Sequence, residues 1–243
     1  MADRPPELPR TSALIVAAGN SVRMGGGPSE RKPFLALGGL TVIEHACAAF
    51  DRVEAVHEIV VVGHADDLER LRALAARSRT MRKVRAVVPG GELRTDSVRA
   101  GVRASALDSV LIAVHDAARP LVTREVVERA LELAASAGAA LVAVPVVDTV
   151  KTSADGKRAE ATLDRSVLWA AQTPQVFRRA LLVELLERAA REGFRPTDEA
   201  ALHERFVGPI PISRGASENG KLTTPEDVAV FDALLRLRRE NDA

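Results

Sequence analysis

The sequence predicts an α/β protein built on a mostly parallel β-sheet flanked by helices. Two observations carry this expectation. Short aliphatic runs recur along the chain with amphipathic helical segments between them, the pattern of strands buried on both faces. The 47% apolar content of the 243 residues is enough for a substantial core, and aromatics supply only 3%, so that core is aliphatic.

Before the first run, Met1 to Arg10 is rich in Pro and charge and has no apolar stretch of the kind a signal peptide carries, so it reads as a flexible tail. The first strand candidate is Ala13 to Val16. Thr41 to Phe50 is a candidate helix, with Thr41 and Glu44 at capping-box spacing. Strand candidates Ile59 to Val62, Val84 to Val88, Val110 to Val114 and Ala140 to Val144 follow. They alternate with helix candidates Asp66 to Arg77, Asp96 to Ala106 and Thr123 to Ala137, the last closed by Gly138. Such alternation predicts βα units feeding a parallel sheet.

The rhythm breaks after Val147. Asp148 to Arg165 is polar and contains the turn pair Asp155-Gly156 between strand-like Val146 to Lys151 and Ala159 to Leu163, which predicts a projecting hairpin arm at about 148–166. A lone two-stranded arm is marginal in water, so it has to pack on something, and a second subunit is a candidate. The same pattern fits a mobile surface loop equally well. Beyond it come a helix from Arg178 to Glu192 with Gly193 at its end, a short segment from Thr197 to Arg205, strand-like Pro209 to Ser213, and a closing helix from Pro225 after the N-cap candidate Thr224. With no internal repeat or linker, residues 11–243 read as a single domain carrying the inserted arm.

Composition excludes several function classes. The 34 basic and 33 acidic residues nearly cancel, against the broad positive field of a nucleic-acid-binding domain, and the scarcity of aromatics leaves no base-stacking platform. No apolar run approaches the ~20 residues that cross a bilayer, so a cytoplasmic protein is expected. The single cysteine, Cys47, lies in an apolar run and reads as a small core residue; neither a disulfide framework nor a zinc cluster can be built.

Three clusters at strand ends carry the chemistry. The first run leads straight into Ala17-Ala18-Gly19-Asn20-Ser21-Val22-Arg23-Met24-Gly25-Gly26-Gly27. In open α/β sheets ligands bind beyond the carboxyl ends of the strands, and a loop of small residues lets backbone N–H groups approach phosphate oxygens. Arg23 would give that phosphate planar donors, and Lys32 a mobile point charge. The loop lacks the Gly-x-Gly-x-x-Gly of dinucleotide binders and the Gly-Lys-Ser/Thr of P-loops, which leaves a nicotinamide dehydrogenase a weak reading. Alone, it would be an ordinary surface loop. It is accompanied by His115-Asp116-Ala117-Ala118-Arg119-Pro120 at the end of another run, where Asp116 suits a Mg²⁺ shared with phosphate oxygens and water, although Asp-Arg surface pairs are common. His115 reads as structural. Gly90-Gly91-Glu92-Leu93-Arg94-Thr95-Asp96-Ser97 again joins a strand to a helix, and its close backbone and Ser97 hydroxyl suit recognition of a base edge.

These clusters are followed by Asp148-Thr149, Asp164-Arg165, Gln172-Thr173-Pro174-Gln175, Thr197-Asp198-Glu199-Ala200 and Asn219-Gly220-Lys221 with Thr223. In that order, from Ala13 to Leu235, the segments resemble the 2-C-methyl-D-erythritol 4-phosphate cytidylyltransferase family. The resemblance implies a Rossmann-like sheet of the nucleotide-diphospho-sugar transferase type. It implies CTP along Ala17, Ala18 and Gly19, its cytosine near Gly91, Glu92 and Ser97, and its phosphates on Arg23 and Lys32. Asp116 would hold Mg²⁺ and Lys221 would approach the α-phosphate, making Arg23, Lys32 and Lys221 the catalytic cations. Asp116, Arg119 and Thr197, with Thr149 and Arg165 from a neighbouring subunit's arm, would bind the acceptor, implying a homodimer. The chain departs from the family's pattern at Ser21, at Arg31-Lys32-Pro33 for the frequent Pro-Lys-Gln, at Glu92 for Asp, and at Gly220 for a bulkier apolar residue. A related cytidylyltransferase using ribitol 5-phosphate would share the nucleotide loop. A non-catalytic nucleotide-binding regulator would have no need of Lys32, Asp116 and Lys221 together.

Overall fold

The computed structural model describes residues 8–19 and 31–241. The first aliphatic run forms β1 (Thr11–Ala17), in which Ala13, Leu14 and Ile15 are wholly buried. Of the expected tail, Leu8 packs on the core and the Arg10 carbonyl accepts from Val110 N at 2.8 Å, so residues 8–10 belong to the folded body, while 1–7 lie outside the described residues. A hairpin not expected from the sequence, β2 (Ala36–Leu37) with β3 (Leu40–Thr41), turns at Gly38 and Gly39, both at positive φ, and leads into α1 (Val42–Asp51). The Thr41 and Glu44 capping box forms, the Glu44 carboxylate accepting from Thr41 N and Oγ1 at 2.8 Å each.

The βα alternation then runs as expected through β4 (Val56–Gly63), α2 (Leu68–Arg77), β5 (Val84–Pro89), α3 (Arg94–Ala104), β6 (Leu111–Asp116), α4 (Arg124–Ala137) and β7 (Ala139–Pro145). Gly138 ends α4 at φ +90°, a conformation that favours glycine. The arm contains β8 (Lys151–Thr152) and β9 (Ala161–Thr162), paired over only two rungs and so shorter than the strand-like stretches suggested. Asp155 ties its turn, accepting from Lys157 N at 2.8 Å and Arg158 N at 3.0 Å. The chain continues with β10 (Trp169–Arg178), α5 (Arg179–Glu192), α6 (Glu199–Phe206), β11 (Ile212–Arg214) and α7 (Pro225–Asn241).

Seven strands form one sheet in the order β11-β7-β10-β6-β1-β4-β5. All neighbouring pairs are parallel except those of β10, which runs antiparallel between β6 and β7. The sequence did not reveal β10, because Pro174 sits in its middle and lacks a ladder donor. The ladder tolerates it by skipping: on the β7 side the register jumps from Ala171 to Gln175, and pairing with β6 begins only at Gln175.

Alternation along the strands divides the core between the two faces of the sheet. Ala13, Ile15, Ile59, Val61 and Ala113 meet α1, α2 and α4 on one face, and Leu14, Val60, Val62, Ile112 and Val114 meet α3, α5 and α6 on the other. A smaller cluster of Leu37, Leu121, Leu222, Phe231 and Leu235 holds α7 against the hairpin. Cys47 is wholly buried in this packing, and burial pushes its thiol far up, as befits a core residue. Among the described residues no helix is long and apolar enough to cross a membrane.

Candidate functional site

Three parallel strands end at one edge of the sheet, and each end feeds the same cavity of about 400 Å³. Its wall comprises Ala17, Ala18 and Gly19 after β1, Gly91 and Glu92 after β5, Arg94 and Ser97 from the first turn of α3, Asp116 at the end of β6, and Lys32 and Lys221 from two connections. Every described residue of the expected catalytic and CTP-binding sets is therefore in one place. Arg23 lies outside the described residues.

The glycines are there because two backbones approach closely. A Cβ on Gly90 would collide with Ala18 Cβ and stand 2.7 Å from Ser97 Oγ, and one on Gly91 would collide with Asp96. The Ser97 hydroxyl is fixed by the same turn, accepting from Gly91 N at 3.2 Å and donating to Leu93 O at 3.3 Å.

Asp116 is the electrostatic centre. Arg94 Nη2 donates to its Oδ1 at 3.0 Å and Lys221 Nζ to its Oδ2 at 2.7 Å. Burial alone would raise this carboxyl, but Arg94 and Lys221 outweigh burial and hold it far below the usual carboxylate range, so it is ionised. The other Arg94 nitrogen, Nη1, reaches both oxygens of Glu199, which is wholly buried at the start of α6. Lys32 Nζ donates to the carbonyls of Leu222 at 3.2 Å and Thr223 at 3.0 Å and so pins the segment that carries Lys221. Of the two bases in Arg31-Lys32-Pro33, only Lys32 lines the cavity, because Arg31 is paired with Asp66 and Asp67 at 3.0 Å.

Below the cavity floor a buried hydrogen-bond belt fixes Asp116. Thr173 Oγ1 accepts from Asp116 N at 3.1 Å, which leaves its proton for His115 Nδ1 at 2.9 Å, while His115 Nε2 donates to Arg119 O at 3.1 Å. This assigns one neutral tautomer to His115, and burial lowers its pKa to about 4, in keeping with the structural role expected of it. Asn219, wholly buried, continues the belt by donating to Gln172 Oε1 at 3.2 Å and Thr173 O at 2.9 Å.

Of the expected acceptor residues Asp116 lines the cavity, and the other four are placed differently. Arg119 does not line the cavity: its guanidinium donates to Asn219 O at 2.7 Å and Ala171 O at 3.1 Å, tying the Lys221 segment to β10. Thr149, Arg165 and Thr197 are exposed and also stand outside the cavity wall, and Arg165 donates to Val147 O at 2.6 Å within its own arm. The sequence reading gave no role to Arg94 or Glu199. A basic residue opening a helix was visible, but its two carboxylate partners lie 22 and 105 positions away.

Among the described residues no group of three or more His, Cys, Asp or Glu could hold a metal by itself. Asp116 is one ionised carboxylate whose oxygens each retain a lone pair, a donor set that fits Mg²⁺ arriving on phosphate oxygens.

The chain matches the family model for 2-C-methyl-D-erythritol 4-phosphate cytidylyltransferase over residues 11–237. It is 38% identical over 232 residues to the protein of that name from Pelotomaculum thermopropionicum, covering 96% of this chain and 97% of the relative. It is 44% identical over 224 residues to the one from Symbiobacterium thermophilum, covering 92% of each. The crystal structure of the Thermus thermophilus cytidylyltransferase superposes with a TM-score of 0.75 at 32% identity, covering 93% of this chain and 98% of that one. The chain belongs to the 2-C-methyl-D-erythritol 4-phosphate cytidylyltransferase family.

Proposed function

We propose that the cavity at the carboxyl edge of the sheet is where CTP meets 2-C-methyl-D-erythritol 4-phosphate. The chain is a nucleotidyltransferase that moves the cytidylyl group of CTP onto this acceptor, giving 4-diphosphocytidyl-2-C-methyl-D-erythritol and pyrophosphate in isoprenoid precursor synthesis. The observation that carries the site assignment is the gathering of Lys32, Arg94 and Lys221 around Asp116 beside a small-residue floor.

In the reaction a phosphate oxygen of the acceptor attacks the α-phosphorus of CTP, a new P–O bond forms, and the bond to the β-phosphate bridging oxygen breaks as pyrophosphate leaves. No covalent enzyme intermediate and no proton shuttle are required. The barrier is the approach of one polyanion to another, so the work of the protein is positioning and charge neutralisation. The backbone at Ala17 to Gly19 carries the nucleotide, Gly91, Glu92 and Ser97 face its base, and Arg23 and Lys32 receive the β- and γ-phosphates. Lys221 turns from Asp116 to the α-phosphate as charge builds there. Asp116 would hold Mg²⁺, which would supply neutralising positive charge to the phosphates. Thr149 and Arg165 serve the acceptor in a second copy of the chain, and their exposure on an arm that lines no part of its own cavity supports this; Arg119 and Thr197 complete the acceptor set from outside the cavity wall. A homodimer acting in the cytoplasm is part of this reading.

A coupled pyrophosphate assay with the four nucleoside triphosphates and two acceptors tests it. Release with CTP and methylerythritol phosphate, and little with ribitol 5-phosphate or the other nucleotides, is expected. Silence with CTP and methylerythritol phosphate overturns it.

A further inference from the structure

The ion-pair chain Glu199, Arg94, Asp116, Lys221 alternates in sign and runs from the buried start of α6 to the cavity. Its two ends differ in kind. Glu199 is wholly buried and accepts from Arg94, whereas the Lys221 side chain is 47% exposed. A buried carboxylate without its cation is strongly disfavoured, so the Glu199 and Arg94 pair is the permanent member of the chain. Arg94 itself is a planar fork whose second arm is left aimed at Asp116.

We infer that Glu199 is a positioning residue for cytidylyl transfer: by holding Arg94 on Asp116 it keeps Asp116 neutralised, so that Lys221 is free to exchange onto the reacting phosphate. Without that anchor Asp116 has Lys221 as its remaining firm counter-ion and retains it. The anchor is also mechanical, since Glu199 and Arg94 stand at the first turns of α6 and α3 and lock the two helix ends together beside the cavity. CTP binding depends on other walls, the β1 loop, Gly91 and Lys32, and is spared.

The inference rests on the reading of the site given above. The test measures turnover, CTP affinity by calorimetry without acceptor, and melting temperature for Glu199→Gln, Lys221→Ala and the double variant. Glu199→Gln is expected to lower kcat roughly 10- to 100-fold with CTP affinity retained, as for a misplaced reacting group. In the Lys221→Ala background the same change is expected to cost nothing further, because the group it sets free is gone; a merely structural role gives additive losses instead. If Glu199→Gln does not fold, Arg94→Lys is read the same way, since a point charge cannot span both carboxylates. Wild-type turnover in the folded variant, or additive losses, overturns the inference while leaving the function intact. An inactive wild type overturns the function and the inference together.

Discussion

Asp116 ends β6 with Arg94 on one carboxylate oxygen and Lys221 on the other. A carboxylate at the end of a buried run, two positions after Val114, already suggested an anion-handling site, and Lys32 and Lys221 were placed with it. Both lysines line the cavity, and Lys32 also holds the Leu222 and Thr223 carbonyls, so removing either withdraws a preorganised cation. Lys32→Ala and Lys221→Ala should each lower kcat by about 100-fold, or about 3 kcal/mol in barrier, with the fold intact by circular dichroism. Near-normal pyrophosphate release in both would remove them from the catalytic set. His115 carries a pH prediction. Its folded pKa of about 4 lies below the ordinary value of 6.5, so the unfolded chain takes up a proton first as pH falls. Its contribution is fully present above pH 6.5 and is lost as pH drops towards 4, by on the order of 3 kcal/mol. Urea melts of metal-free protein between those limits should show this slope, and His115→Gln should flatten it; equal slopes would contradict the neutral, doubly bonded ring. Arg94 and Glu199 escaped the sequence reading for a simple reason. Their meaning is their pairing, and pairing between distant positions is a property of the fold.

At the scale of elements, the strands and helices that obey one period were readable and the one that breaks a rule was not. The aliphatic runs gave β1, β4, β6 and β7 to within a few residues, since a strand buried on both faces has no other composition open to it, and they gave β5 as well, although as the edge strand it is only partly buried. Asp116 proved to be the last residue of β6 rather than the start of a loop, which stiffens the carboxylate's backbone. β10 was hidden because alanine, glutamine and proline dilute it, and it is held by register and neighbours rather than by propensity. The tight seating of α3 on the sheet is a second feature the sequence conceals. A Cβ on Gly101 would stand 3.0 Å from Val62 Cγ2 and 3.1 Å from Leu14 Cδ1, so a larger side chain must push the helix away from β1 and β4. Gly101→Val should therefore destabilise the protein by about 1 to 3 kcal/mol, read as a lower urea midpoint, and should depress turnover because Arg94 and Ser97 ride on the same helix. An unchanged midpoint would contradict so close an approach.

At the scale of the whole molecule, the arm stands largely exposed among the described residues. Val147 at 76%, Val167 at 72% and Trp169 at 41% exposure lie at its root, apolar surface that the proposed dimer would cover. Val167→Asp should accordingly yield a monomer by sedimentation velocity, with CTP affinity kept and transfer to the acceptor lost. Arg165→Ala should leave the dimer and CTP affinity alone and raise KM for the phosphate acceptor; equal weakening of both substrates would sink the cross-subunit role. The hairpin is legible in its Asp155-Gly156 turn, whereas the surface it would pack on is not, because the polar stretch between its strands carries no apolar pattern that marks one. The point of attachment has a further consequence. The chain departs at Pro145 and returns at Trp169, and those two residues are register partners in the β7 and β10 ladder. Everything between them is thus a cassette plugged into adjacent sockets. Its length can therefore change without shifting the register of β7 against β10 on the sheet side of that junction.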